Sequence, residues 1–332
     1  MRVAPKPTEL ILMARVARRY YEDDRSKKDI ADELGISRFR VARLLESARR
    51  SGMVRIQIEP PTGVNTELSV ELQRVFGLAH AVVVDVVDDH PEALRTRLGE
   101  VAAEVLQEVV GRDDVLGMAW ARSLRGIGAS ISAIAACPVV QLTGAMSGPD
   151  GSDVIDLVRR VALAGGGTPH VFYAPLVAHD TASARVVRRQ PDVSRALELA
   201  SKITVAVVGI GAWEPGLSTI YDMVEPQARD RAGVLGTIGE ISGALIDADG
   251  RGVQSPLSRR IIGVTAEQLE HIDLVISVAY GEGKAQAVAA ALGGGLVNGL
   301  ITHTGLARAI LATDSAKAAA QAARETADAT AD

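Results

Sequence analysis

The sequence predicts an α/β protein in two parts, a winged helix-turn-helix at the N-terminus followed by a largely parallel sheet covered by helices. Three observations predict it. Positive charge gathers at one end: residues 1–58 hold 14 Lys and Arg against 8 Asp and Glu, and the rest of the chain holds 22 against 33. Within that basic end, two short amphipathic helical patterns flank a glycine. Beyond it, β-branched runs alternate with helical stretches, as in sheets buried on both faces. With 332 residues, 47% of them hydrophobic, the chain can fill about two or three domains of roughly 100–200 residues.

In "ELILMARVARRYYEDD" the residues Leu10, Met13, Ala17 and Tyr20 recur at helical steps, which marks one apolar face. Ser26 offers an N-cap to "KKDIADEL", where Ile30 and Leu34 share a face, and Gly35 supplies a tight turn. Ser37 caps "RFRVARLLESARR", whose Val41, Leu44, Leu45 and Ala48 form an inward stripe. Gly52 ends that helix, and "MVRIQIEP" follows as a β-like wing. The outward residues at the leading end are then Ser37, Arg38, Phe39, Arg40 and Arg43. In a helix-turn-helix this end enters the major groove of double-stranded DNA. Arginine's planar fork can bond guanine O6 and N7 together or clamp a phosphate. The Ser37 hydroxyl and nearby amides can meet a phosphate, and Phe39 can touch a thymine methyl. Which arginine reads a base stays open. A helical hairpin with merely solvated arginines is the competing view; the charge asymmetry, caps and wing weigh against it.

After the Pro/Gly-containing junction "EPPTGVNTE", the helix "LSVELQRVFGL" precedes the runs "AHAVVVDVV", "DDVLGMAW", "CPVVQLTG", "PHVFYAPLVA", "KITVAVVGIG", "GALIDADG" and "DLVISVAYG". We expect residues 1–60 as the helix-turn-helix domain, 61–78 as a connecting and oligomerisation helix, 79–315 as a ligand-binding domain and 316–332 as an Ala-rich tail. Ligands on such sheets bind beyond the carboxyl ends of the strands. There, Ala121, Arg122 and Ser123 follow a strand and open a helix, where free amides hold an anion. Thr143 and Gly144 make a second loop, and Gly209 and Gly211 permit close backbone approach. Lys284 stands at a helix start behind Gly281 and Gly283, so a cation, amide donors and the helix dipole converge as on a phosphate.

Other chemistries find less support. Glu214 occupies the third glycine of a dinucleotide fingerprint begun by Gly209 and Gly211. Val278 and Ala285 stand where a nucleotide P-loop needs Gly and Ser or Thr. The six histidines show no metal-ligand spacing, no G-x-S-x-G elbow occurs, and Cys137 reads as a small buried apolar residue. No cofactor, metal or catalytic residue is therefore expected. No run of some 18 apolar residues and no leader pattern is seen, so no membrane partner is expected and the cytoplasm is the default location.

The segments "DIADELGISRFRVARLLESARRSGMVRI", "LGMAWARSL", "VVQLTGAM", "VAVVGIG", "LGTIGEISGALIDADG", "PLSRRIIGV", "VAYGEGKAQAVAAAL" and "LITHTGLARAIL" together resemble the SorC family of sugar-responsive bacterial transcription regulators, over nearly the whole chain. The resemblance implies a Rossmann-like C-terminal domain of the glucosamine-6-phosphate deaminase and ribose-5-phosphate isomerase type. Such a domain binds a phosphorylated sugar without converting it. It also implies that Arg122, Ser123, Thr143, Gly144, Gly283 and Lys284 surround the effector, and that Asp247 and Arg260 line or support the site. Three departures stand out: Thr302-His303-Thr304 replaces the family's Thr-Asp-Glu, Tyr280 replaces a glycine, and Ala42 stands where serine is common. His303 thus meets the effector in place of a carboxylate. We expect a DNA-binding repressor of carbohydrate genes, a dimer or tetramer, controlled by a sugar phosphate. A sugar-phosphate isomerase or deaminase with an accessory DNA-binding head is the rival, and an architectural DNA-binding protein with a vestigial body is the third reading.

Overall fold

The computed structural model describes residues 7–54, 63–85, 91–146 and 154–329, with side chains through 321. The chain forms two compact units, Met1–Glu59 and Pro60–Asp332, each with its own apolar core.

The first unit is three helices: α1 Pro7–Tyr21, α2 Lys27–Leu34 and α3 Arg38–Arg50. Their boundaries follow from local chemistry. The Ser26 hydroxyl accepts the Asp29 amide and opens α2, and Gly35 closes it at a φ of 61° that suits glycine. The Ser37 hydroxyl then accepts the Arg40 amide at 3.2 Å and opens α3. The inward stripe of α3 is the expected one: Val41, Leu44, Leu45 and Ala48 are buried against Met13, Val16, Ala17, Ile30 and Ala31. Tyr20 packs edge-on against Tyr21 and under the Lys27 ammonium. The expected wing lies, apart from Met53 and Val54, outside the described residues.

The second unit holds ten strands among the described residues: β1 His80–Val84, β2 Leu116–Met118, β3 Val139–Gln141, β4 Pro169–His170, β5 Val205–Val208, β6 Ile210–Ala212, β7 Gly239–Ile241, β8 Ala244–Ile246, β9 Leu274–Val278 and β10 Gly299–His303. Seven of them form one sheet in the order β1-β10-β9-β5-β2-β3-β4, every pair parallel. Every residue of β2, β3 and β5 is buried, so both faces of the sheet are covered. Helix Pro91–Val109 packs on β9 and β10, and helix Val154–Gly165 on β2, β3 and β4.

Some runs behave differently from the sequence reading. The strand of "GALIDADG", β8, is not in the parallel sheet; it pairs antiparallel with β7, and β7 with β6. The cause is a break after β5, where the Gly209 amide donates to the Ser242 hydroxyl at 3.0 Å and the chain leaves the sheet. In "PHVFYAPLVA" only the first two residues form a strand. The connecting helix Thr66–Phe76, α4, packs on β1 and on helix Asp314–Ala329. Its Ser69 hydroxyl donates to Asn65 and accepts the Val83 amide of β1 at 2.9 Å, which fastens it to the sheet. The Ala-rich tail is helical to Ala329.

Leu116 begins the interior strand β2 with no exposed surface. Leu116→Ala should destabilise the protein by about 2–5 kcal/mol, read as a lower denaturation midpoint.

Candidate functional site

The leading end of α3 is an exposed cationic surface. Ser37, Arg38, Phe39, Arg40 and Arg43 are all solvent-accessible, and Phe39 is 83% exposed despite its size. The arginines of α1 are spoken for: Arg15 and Arg19 pair with Glu33, and Arg18 with Glu22. By contrast, no ion pair to Arg38, Arg40 or Arg43 occurs among the described residues. The first turn of α3 also carries no acid, so its cations crowd the positive end of the helix dipole. That crowding is unfavourable until an anion arrives.

In the second unit, topology points to one place. The chain runs from β2 outward to β3 and β4, then returns to the other side of β2 as β5. Loops leaving the carboxyl ends of β2 and β5 diverge, opening a crevice at this switch point. Its walls include Ala121, Arg122 and Ser123 after β2, Gly209 and Gly211 around the start of β6, Ser218, Glu240 of β7, and Tyr280 with Lys284 after β9. The enclosed space is small, about 40 Å³.

Two opposite charges face this crevice. The Glu240 carboxylate is buried and accepts the Gly243 amide at 2.8 Å and the Ser218 hydroxyl at 3.1 Å. Burial pushes its carboxyl up from the ordinary range, while the Gly243 amide, Lys284, Ser218 and Arg122 pull it back. Glu240 carried no recognisable motif in the sequence. Its only signal is an acid set among Ile238, Gly239, Ile241 and Ser242. Lys284 is half-buried, its ammonium 5.1 Å from the centre of the Tyr280 ring. Burial lowers its pKa to about 8, Glu240 raises it, and Arg122 lowers it. No hydrogen bond or ion pair to that ammonium occurs among the described residues. A half-buried cation without an acceptor among them, at the start of the nine-residue helix Ala285–Gly293, has the chemistry to receive an anion.

The remaining predicted residues divide. Thr143 is buried, and its hydroxyl accepts the Trp120 amide at 3.0 Å, setting the β2 loop from behind. Gly144 is abutted by the Pro175 carbonyl, leaving no room for a Cβ. Gly209 and Gly211 do border the crevice, but protein groups make the close approach: Ala121 presses on the first, Glu240 and Ser218 on the second. Gly283 lies against Leu217. His303 does not line the crevice; its Nε2 accepts the Gly281 amide at 3.2 Å and braces the loop that carries Lys284. Asp247 is also outside, because its carboxylate accepts the Asp249 and Arg251 amides and closes the "DADG" turn. Arg260 is outside too, held by Glu225 and by the Ala178 carbonyl at 2.9 Å. Among the described residues no cluster of His, Cys, Asp and Glu could hold a metal ion, and no helix is long and apolar enough to cross a membrane. Cys137 is buried, and burial raises its thiol pKa, which makes it a poor nucleophile.

Comparison with known proteins shows the family of the chain. Residues 61–312 match the family model described as "Putative sugar-binding domain". The transcriptional regulator LsrR of Klebsiella pneumoniae is 32% identical over 334 residues, spanning 92% of this chain and 94% of the relative. LsrR of Escherichia coli K12 is 31% identical over 303 residues, spanning 90% and 94%. In fold, the full-length sorbitol operon regulator SorC from Klebsiella pneumoniae superposes with a TM-score of 0.71 at 24% identity, covering 93% of this chain and all of that one. A DeoR family transcriptional regulator from Listeria monocytogenes gives 0.66 at 23% identity, covering 74% of this chain and 98% of its own.

The Glu240 carboxylate anchors the crevice floor, so its removal should be costly. Glu240→Ala leaves the Gly243 amide and Ser218 hydroxyl without their acceptor and should destabilise by about 1–3 kcal/mol. Glu240→Gln, which keeps one acceptor oxygen, should cost less; thermal melting of the two variants measures the difference.

Proposed function

Because the chain belongs to the SorC-type family of transcriptional regulators and is not an enzyme, we propose that it is a cytoplasmic repressor of carbohydrate genes whose grip on operator DNA is altered by a phosphorylated sugar. In this reading residues 1–60 bind DNA through α3 and residues 79–315 bind the effector in the crevice at the switch point. Ala121, Arg122, Ser123, Glu240 and Lys284 form the pocket, with Thr143, Gly144, Gly209, Gly211, Gly283 and His303 shaping its loops. The observation that carries the effector half is Lys284, a half-buried ammonium with room for an acceptor beside a carboxylate that suits sugar hydroxyls. Arg38, Arg40 and Arg43, without ion pairs among the described residues at a helix N-terminus, carry the DNA half.

Effector binding supplies a mechanism. A ligand seated between the Ala121–Ser123 loop and Lys284 favours the arrangement in which those groups all reach it over arrangements in which they do not. That differential affinity is what any shift of the DNA-binding heads requires. One recognition helix reads few base pairs, so paired heads on a dimer or tetramer are needed to read half-sites one or more helical turns apart.

Three outcomes test this. Arg43→Ala should weaken binding to a mixed-sequence duplex of about 30 bp at low salt, and flatten the log–log salt dependence by about 0.9 for each phosphate the variant no longer neutralises. Fluorescence anisotropy reads both, and unchanged affinity in the triple Ala variant of Arg38, Arg40 and Arg43 would overturn the assignment of α3. In a thermal-shift screen of pentose and hexose phosphates, at least one should raise the melting temperature, and Lys284→Ala should weaken its binding by about 1.5–3 kcal/mol. A phosphate dianion binds the ammonium form, so affinity should change little between the phosphate's own second pKa of about 6 and the Lys284 pKa of about 8, and fall as pH rises through the latter. Calorimetry from about one and a half pH units below that value to as far above it follows the decline, which the Lys284→Ala variant should lack.

A further inference from the structure

Beside the crevice lies a second, larger cavity of about 640 Å³. The two share Trp120, Ala121 and Arg122 along one wall. Among the described residues, four arginines line the larger one, Arg95, Arg122, Arg125 and Arg160, against two carboxylates, Glu92 and Asp156. At Arg95 and Arg160 that positive excess is hardly spent on ion pairs. Arg95 reaches Glu92 only at 4.0 Å, a contact to an exposed carboxylate that is worth little, and no hydrogen bond or ion pair to Arg160 occurs among the described residues. Room and unspent charge occur together.

Tyr280 joins the two spaces. Its hydroxyl accepts the Arg95 guanidinium at 3.5 Å. The Arg95 guanidinium carbon lies 5.9 Å from the ring centre and the Lys284 ammonium 5.1 Å from it. The two cations are therefore no farther apart than those two distances laid end to end, a span within reach of a sugar with charged groups at both ends. The ring is within cation–π range of both.

Resting on the reading of the crevice as a phosphate site, we infer that the effector site is bipartite: Lys284 takes one phosphoryl group, and an arginine basin around Arg95 and Arg160 takes a second anionic group on the same molecule. The ligand class is a phosphorylated sugar that carries another phosphoryl or a carboxylate at its far end. Tyr280 is the residue in contact with both cations. Arg125 adds charge at the basin's rim, and Arg122 stands where the two spaces meet.

Calorimetry on the full-length protein with three probes tests this: glucose 6-phosphate, 6-phosphogluconate and fructose 1,6-bisphosphate. At least one doubly anionic probe should bind tenfold or more tighter than glucose 6-phosphate. That preference should shrink at least fivefold in Arg160→Ala and in Arg95→Ala, while Lys284→Ala weakens all probes together. The melting temperature of Arg160→Ala should match the parent, which keeps the test valid if Arg95→Ala folds poorly. Lys284-dependent binding of glucose 6-phosphate with no gain for either second anion would overturn the bipartite site and leave the phosphate reading standing. A gain that survives both arginine variants would overturn it as well. Failure of every probe to bind would bring down both.

Discussion

A carboxylate kept out of water governs the ligand-binding unit. Desolvation alone would neutralise Glu240, and the surrounding chain is arranged to offset that cost: an amide from Gly243, a hydroxyl from Ser218, and the nearby charges of Lys284 and Arg122. The offset requires that β6 run hard against β7, which only a residue without a side chain at Gly211 allows. It also requires the chain to leave the parallel sheet at Gly209, where Ser242 takes up the freed amide. The antiparallel sheet β6-β7-β8, the position of Lys284 and the narrowness of the crevice are all tied to that one group. The lysine next to it keeps its charge, but weakly, and so remains open to an incoming anion.

What could be read from the sequence was local and periodic. The α3 stripe of Val41, Leu44, Leu45 and Ala48 was legible because helical spacing and the Ser37 cap agree with each other and with burial. The parallel strands were legible as β-branched runs. Strands β6 and β7 were not, because three-residue runs interrupted by glycine carry no usable period, and their pairing is set by a hydrogen bond between Gly209 and Ser242 across 33 positions. Glu240 escaped notice for the same reason: its hydrogen-bond partner Ser218 is 22 residues away, and nothing adjacent announces burial.

The site residues divide along the same line. Ala121, Arg122, Ser123 and Lys284, which the rule that ligands sit beyond strand ends singles out, line one crevice. Asp247 and Arg260 do not, because each has a nearer partner: a turn of its own segment for the aspartate, Glu225 and a carbonyl for the arginine. His303 supports a loop where the sequence suggested ligand contact. Hydrogen bonds within the protein decided these three cases, local for Asp247 and between distant segments for Arg260 and His303, and proximity in sequence to a recognised motif was no guide to them.

The glycines that floor the crevice have a further meaning. Gly209 is pressed by the Ala121 side chain and Gly211 by Glu240 and Ser218, so their identity is dictated by volume and tolerates almost no experiment by mutation. The adjoining cavity's Arg95 and Arg160 and the crevice's Tyr280 form a rim that is different, because none of the three is a glycine held to its place by volume. A lineage of these regulators that acquires a new signal molecule would therefore record the change in its rim and leave its floor alone.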